Sequence, residues 1–366
     1  MNTILKLTST LLLLILITSC KENSTVEKID VANENLTYKG RVEKLENSVI
    51  LIGSASSITT KIIGNTCEVY LKNNANQNNY VSIEVDGKYL KKLFVEKDTL
   101  KAYKIELNPT KTEQTVSIYK ATEASTGDIV FGGFNAESVK KVKNTSIVKI
   151  EFIGDSITCA AASDTSIPCG GDSQYYDQSN AYFSYATILG RELNADVLLS
   201  SVSGIGIYRN WNSVKGEEPI MPEVYENLYL NKNTSKPYNF KSFTPDIVSI
   251  CLGTNDFSNG DGVKERLPFD QNAYVEAYID FLKVIISKYP QAKIALLDSP
   301  MVTGENNVIF NKCLNRIKEY FKTENPEKSI SIFKFDNVVP TGCGFHPEIK
   351  EHKEMARMLM PFFKNL

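Results

Sequence analysis

With 366 residues, 42% hydrophobic and 10% aromatic, the chain is large enough to bury about two hydrophobic cores. A formal charge of -2, from 41 Lys and Arg scattered among 43 Asp and Glu, offers no basic stripe and argues against nucleic acid as a partner. The only two histidines, His346 and His352, do not form a His-Glu-x-x-His pattern, so neither a metal site nor a cofactor is expected.

The first residues read as a targeting segment. Lys6 supplies a positive charge, Leu11 to Ile17 is continuously apolar, and the small Thr18 and Ser19 precede Cys20. The apolar run is shorter than the roughly 20 residues that span a bilayer. Ile17-Thr18-Ser19-Cys20 resembles the lipobox of bacterial lipoproteins. That resemblance implies cleavage before Cys20, acylation of Cys20 by more than one chain, and an exported lipoprotein anchored in the outer membrane. Lys21-Glu22 hints at display on the cell surface. Residues 1–20 are thus a signal segment, and the polar residues 21–35 read as a tether.

From 36 to 143 short runs alternate with period two: Cys67, Val69 and Leu71; Val81, Ile83 and Val85; Tyr103, Ile105 and Leu107. This pattern predicts half-buried strands, and Asp86-Gly87 between two of them predicts a tight hairpin. No long helical period interrupts the region, which reads as an all-β sandwich.

Residues 144–366 change rhythm. Apolar runs at Ile147–Ile153, Val197–Val202, Ile247–Leu252, Ile294–Leu297 and Ile330–Phe335 predict strands buried on both faces. Between them, Tyr274, Tyr278, Phe281 and Ile285 share one helical face, and Phe310, Leu314, Ile317 and Phe321 share another. Strands alternating with helices predict a parallel sheet flanked by helices. Two long connections, 159–179 and 208–244, follow strand ends and are expected to carry function. Among six cysteines beyond Cys20, Cys159 and Cys169 flank one loop and are the expected disulfide pair, and Cys251 is expected to be a buried free thiol.

The chemistry centres on Phe152-Ile153-Gly154-Asp155-Ser156, a strand running into a turn that can hold a hydroxyl at the edge of a parallel sheet. Ser is a weak nucleophile and needs a base. His346, in the Gly-rich loop Gly342-Cys343-Gly344-Phe345-His346-Pro347, is free to point into a cleft, whereas His352 lies on an apolar helical face with Ala356, Leu359 and Phe363 and reads as core. Gly204 and Asn255 follow two further strands and can supply oxyanion donors. Asp155 and Asp256 read as turn-fixing residues. Tyr208 and Trp211 are candidate apolar platforms for a substrate, although Trp211 packs the loop equally well. Arg209 either bonds the substrate or anchors the loop, and Tyr175 with Tyr176 is placed at the opposite lip.

Gly154-Asp155-Ser156, Gly204, Gly253-Thr254-Asn255-Asp256 and His346-Pro347 resemble, in order, the four blocks of the SGNH (GDSL-type) hydrolases. The resemblance implies Ser156 as nucleophile, His346 as base, and Ser156 N–H, Gly204 N–H and the Asn255 side chain as oxyanion hole. With Ile118 to Ala124, Gly132-Gly133-Phe134 and Gly206-Ile207-Tyr208-Arg209-Asn210, the chain is similar to carbohydrate esterase family 2. That similarity implies a jelly-roll domain before an SGNH domain and removal of acetyl groups from xylan and related polysaccharides. It leaves as alternatives another SGNH esterase (a lipase, thioesterase or peptidoglycan O-acetyl esterase) or a non-catalytic glycan-binding lipoprotein. The departure is at the position three before His346, where many SGNH enzymes have Asp and this chain has Cys343. A thiol is a poor substitute for that carboxylate. The expectation is a Ser156–His346 dyad, its imidazole oriented by a backbone carbonyl.

Overall fold

The computed structural model describes residues 25–213 and 217–366, so Cys20 and its lipobox lie outside the described residues. The N-terminal domain holds β1 (Glu27–Ile29), β2 (Thr37–Lys39), β3 (Val42–Lys44), β4 (Val49–Leu51) and β5 (Ser57–Asn73). It continues with β6 (Asn79–Val85), β7 (Lys88–Val95), β8 (Lys101–Lys104), β9 (Glu113–Lys120) and β10 (Ile129–Lys140). Their pairings are antiparallel, and the long β5 joins them into one hydrogen-bonded network by pairing with β2, β8, β9 and β10 at successive registers. The predicted alternation points inward: Val69, Leu71, Val81, Ile83, Val116 and Ile118 are fully buried in one core. Asp86 and Gly87 both adopt positive φ, 50° and 75°, as a two-residue hairpin loop between β6 and β7 requires. The segment expected to be a tether up to residue 35 is already structured, because β1 pairs with β10 and buries Ile29.

The C-terminal domain holds β11 (Val148–Gly154), α1 (Ser156–Cys159), α2 (Tyr185–Glu192), β12 (Ala195–Ser201), α3 (Met221–Val224) and β13 (Ile247–Cys251). It ends with α4 (Thr254–Phe257), α5 (Gln271–Lys288), β14 (Lys293–Leu297), α6 (Gly304–Glu324), β15 (Ile330–Phe333) and α7 (Ile349–Lys364). The five strands are parallel in the order β12-β11-β13-β14-β15. The predicted faces of α5 and α6 cover one side of the sheet, while Tyr185 and Leu189 of α2 pack with Met355, Leu359 and Phe363 of α7 on the other. The chain moves outward from β11 to β12 and then returns past it to β13. This reversal opens a crevice at the carboxyl ends of β11 and β13, where ligands bind in open α/β sheets.

Arg41, from the β domain, fixes the two domains together. It is fully buried and donates to Ser200 Oγ, to the Asn227 carbonyl at 2.8 Å and to the Tyr225 carbonyl at 3.0 Å, with its guanidinium 4.2 Å from the Tyr238 ring centroid. Beneath it lies the buried carboxylate of Glu151, which accepts from Ser200 Oγ at 2.7 Å and Tyr225 Oη at 2.9 Å. Burial pushes the Glu151 carboxyl above its ordinary range, and the Arg41 charge opposes that rise. Removing one member of such a set strands the other in a low-dielectric interior. We therefore expect Arg41→Ala to destabilise the protein by about 3–5 kcal/mol, and Glu151→Gln added to it to recover part of the loss. Urea unfolding monitored at Tyr fluorescence checks this, and a loss below about 1 kcal/mol would show that the Arg41 bonds do not hold the interface.

Candidate active site

Ser156 stands where β11 ends. Gly154 allows the close turn, since a Cβ there would meet Thr158 Oγ1 at 2.1 Å. The Asp155 side chain caps the following turn by accepting from Ile157 N–H at 3.0 Å. Burial pushes the Asp155 carboxyl up to about 7. The structure brings His346 to Ser156 across 190 residues, with Nε2 2.9 Å from Ser156 Oγ. α7 makes this approach possible: it packs beside α2 against Phe152 of β11, so the loop before it reaches the crevice.

Among the described residues no carboxylate holds the imidazole. His346 Nδ1 lies 3.1 Å from the Gly344 carbonyl and 3.2 Å from the Cys343 carbonyl. Carbonyl oxygens only accept, so Nδ1 carries the proton and Nε2 is left to accept from the serine hydroxyl. Both carbonyls reach one ring because Gly344 and Phe345 are successive left-handed residues, φ 59° and 61°. Burial lowers the His346 pKa below its ordinary value, and the two carbonyls partly restore it. Asp336 and Glu348 stand apart: Asp336 is exposed, and Glu348 pairs with Lys350 and accepts from Thr165 Oγ1. His352 is core as expected, fully buried and accepting from Tyr185 N–H at 3.2 Å, and burial pushes its pKa down to about 3.

The expected disulfide is not formed. Cys169 is bonded to Cys343, whereas Cys159 is a buried free thiol at the end of α1. The reason is direction: Cys159 turns inward toward Glu123 of the β domain, whereas Cys169 lies on an exposed loop beside Cys343. Cys343 is also held by donating its N–H to the Ala162 carbonyl at 3.1 Å. Cys251 is free and buried, as its apolar run predicts.

Gly204 and Asn255 line the same cleft as Ser156 and His346. The Gly204 carbonyl accepts from Trp211 N–H at 2.8 Å, and Gly204 itself has φ 76°. The Asn255 carboxamide nitrogen donates to the Ile205 carbonyl at 2.8 Å and makes a long contact of 3.5 Å with Asp155 Oδ2. Asp256 shapes this loop, accepting from Ile207, Tyr208 and Arg209 N–H at 2.9 to 3.1 Å. Burial raises the Asp256 carboxyl to about 6 against the pull of those donors.

That wrapping corrects the expected substrate contact of Tyr208 and, of the two roles open to Arg209, shows the loop anchor. Tyr208 and Arg209 turn into the protein: Tyr208 Oη accepts from Asp270 N–H, and Arg209 donates to the Asp256 and Leu267 carbonyls. Trp211, 47% exposed, and Tyr175 and Tyr176 do line the cleft, which encloses about 700 Å³. Tyr175 Oη lies 3.4 Å from His346 Nε2. Phe257, Met301, Val302 and Thr303 also line the cleft, and no motif in the sequence marks them as cleft residues. They follow the carboxyl ends of β13 and β14, where apolar residues carry no local mark that separates a cleft wall from core. Among the described residues no group of three or more His, Cys, Asp or Glu could hold a metal ion.

Residues 38–145 match the family described as Carbohydrate esterase 2 N-terminal, and residues 150–359 match GDSL-like Lipase/Acylhydrolase. The chain is 29% identical over 350 residues to the cellulase/esterase CelE of Acetivibrio thermocellus, covering 92% of this chain but 40% of that protein. It is 22% identical over 349 residues to an acetylxylan esterase / glucomannan deacetylase of Cellvibrio japonicus, covering 94% and 92% of the two chains. A solved family two carbohydrate esterase from Clostridium thermocellum, in complex with cellohexaose, superposes with a TM-score of 0.79 at 27% identity over 90% of this chain and 98% of that one. Another, from Cellvibrio japonicus, shares the fold with a TM-score of 0.80 at 21% identity, over 93% and 98% of the chains.

If backbone carbonyls alone orient His346, neither nearby acid matters. Asp336→Asn and Glu348→Gln should leave the rate at which a fluorophosphonate modifies Ser156 within about threefold of wild type. A fall approaching the ~10⁴-fold loss of a triad that depends on its acid would instead identify a third catalytic group.

Proposed function

The chain belongs to the GDSL-like lipase/acylhydrolase family, which matches more than half its length behind a carbohydrate esterase 2 N-terminal domain, and from that premise we propose that it is a serine esterase removing O-acetyl groups from polysaccharides or oligosaccharides of the xylan type. The observation that carries this reading is the 2.9 Å contact between Ser156 Oγ and a His346 Nε2 whose other nitrogen is fixed by carbonyls. Ser156 Oγ attacks the acetyl carbonyl as Nε2 takes its proton. The oxyanion so formed is met by the N–H groups of Ser156 and Gly204 and the carboxamide of Asn255. His346 returns the proton to the departing sugar hydroxyl, and water, activated by the same nitrogen, releases acetate from Ser156. Trp211, Tyr175 and Tyr176 give the cleft aromatic faces suited to pyranose rings. Names of relatives, among them an acetylxylan esterase / glucomannan deacetylase, support the substrate class.

Phe257, Met301 and Val302 favour a second reading, an esterase of longer acyl chains, because they give the same cleft an apolar wall. A chain-length series separates the two. Protein lacking its first twenty residues should release acetate from acetylated xylan, lose at least about tenfold in kcat/KM between acetyl and butyryl esters, and lose all turnover in Ser156→Ala. A rate that rises with chain length would place the longer acyl ester as substrate.

We also propose that Cys20 is the lipidated N-terminal residue of the mature protein, on the strength of the ordered charge, apolar run and small residues before it. Full-length protein made in a Gram-negative host should then enter the detergent phase on Triton X-114 partition, and Cys20→Ser should remain in the aqueous phase. Equal partition of the two would remove the anchor.

A further inference from the structure

Glu123 belongs to the β domain, in the turn after β9, yet it is 1% exposed and lies behind the wall of the cleft. Its Oε2 accepts from the backbone N–H of Ser203, the residue before Gly204, and from the Cys159 thiol at 3.5 Å. Cys159 closes α1, the turn that begins with Ser156. One carboxylate from the other domain therefore touches both the segment carrying the nucleophile and the loop carrying an oxyanion donor. Burial and the Glu123 charge hold the Cys159 thiol protonated, so it remains a donor.

The loop bearing Glu123 is itself fixed. Ala121 donates to the Tyr80 carbonyl and accepts from Ala181 N–H, each at 2.8 Å, the second bond crossing into the α/β domain. Lys120, fully buried, donates through Nζ to the Glu123 carbonyl and to Thr126 Oγ1. On its far side the Gly204 carbonyl is already held by Trp211 N–H. What sets the preceding peptide is the bond from Ser203 N–H to Glu123, a charge-assisted bond of the stronger class.

We propose that Glu123 is a positioning residue for the reaction at Ser156: its carboxylate, supplied by the β domain, sets the Ser203–Gly204 backbone so that the Gly204 N–H meets the developing oxyanion. The proposal rests on the serine-esterase reading. Oxyanion donors act on the transition state, so their displacement lowers kcat more than it raises KM. Position of the acceptor and charge of the side chain are separable. Glu123→Gln keeps an acceptor oxygen at the same reach and loses the charge. Glu123→Asp keeps the charge and withdraws the acceptor by one methylene.

Steady-state turnover of a chromogenic acetyl ester and the rate of Ser156 modification by a fluorophosphonate are measured for wild type, Ser156→Ala, Glu123→Gln and Glu123→Asp. Near-UV circular dichroism accompanies each variant. Glu123→Gln should retain kcat within about threefold of wild type, while Glu123→Asp loses about tenfold or more with KM within about twofold, below the 10²–10³ of removing a donor outright. The fluorophosphonate rates should follow the same order. Equal rates in all three, an Asp variant as fast as or faster than the Gln variant, or a loss confined to KM would overturn the proposal. Wild type inert toward the ester yet modified at Ser156 would overturn the substrate reading, and the order of modification rates would still decide the role of Glu123.

Discussion

The site depends on how two peptide carbonyls hold one imidazole. A carboxylate behind a catalytic histidine can be delivered by a side chain with some freedom of rotamer, but a carbonyl can be delivered only by placing the main chain itself. Cys343 and Gly344 must therefore present their backbone to a ring three and two residues ahead, and the chain does this through consecutive left-handed residues at Gly344 and Phe345. Glycine takes that conformation freely, whereas Phe345 adopts it at a cost of order 1 kcal/mol or more, with its side chain left 83% exposed. The Cys169–Cys343 disulfide, the Cys343 N–H bond to Ala162 and the Gly342 N–H bond to the His346 carbonyl hold the loop in that shape. Closing a loop across 174 residues is worth several kcal/mol in the unfolded-state entropy picture, enough to offset the strain.

The rest of the architecture supplies the other side of that contact. The reversal of strand order between β11 and β13 puts Ser156 and Asn255 at neighbouring strand ends, and Gly204 follows β12 on the other flank. The β domain does more than sit beside this sheet. Arg41 reaches into it over Glu151, and Glu123 reaches behind the Gly204 loop. Both contacts bury an ionised or ionisable group, which is costly when incomplete and geometrically demanding when complete. The two domains are thereby held in one relative placement, and the cleft wall that includes Ser203 inherits it.

Much of this was legible in the sequence for physical reasons. Period-two alternation at Val69, Leu71, Val81 and Ile83 and the helical stripes of α5 and α6 record burial directly, and both ended in cores. The turns after β11, β12 and β13 made Ser156, Gly204 and Asn255 visible and the Gly-rich loop before α7 made His346 visible, and the structure gathers all four in one cleft. What the sequence hid was side-chain direction within loops. Tyr208 and Arg209 look like cleft residues by position, yet the Asp256 carboxylate gathers their N–H groups and turns both side chains inward. Cys159 and Cys169 look like partners by spacing, yet a turn of helix sends one inward and leaves the other on the surface. Glu123 lies in the Ile118 to Ala124 stretch that carries the family resemblance, yet nothing local signals its contact, which is made 80 residues away.

The acids of the site reveal a division of labour. Asp155 accepts from Ile157 N–H, Asp256 from three successive N–H groups and Glu123 from Ser203 N–H: each buried carboxylate shapes backbone, and none touches His346. An ionised carboxylate on Nδ1 would stabilise the imidazolium and raise the pKa of the ring. Carbonyl dipoles do so less, so burial prevails and the His346 pKa falls below its ordinary value. A depressed pKa keeps Nε2 unprotonated, and so able to take the serine proton, further into the acid range. The same arrangement gives the imidazolium formed in the transition state less support than a carboxylate would. On the proposed mechanism that shortfall moves the burden of stabilising charge onto donors at the serine side of the cleft, the side on which Asp155, Asp256 and Glu123 each accept from backbone N–H groups.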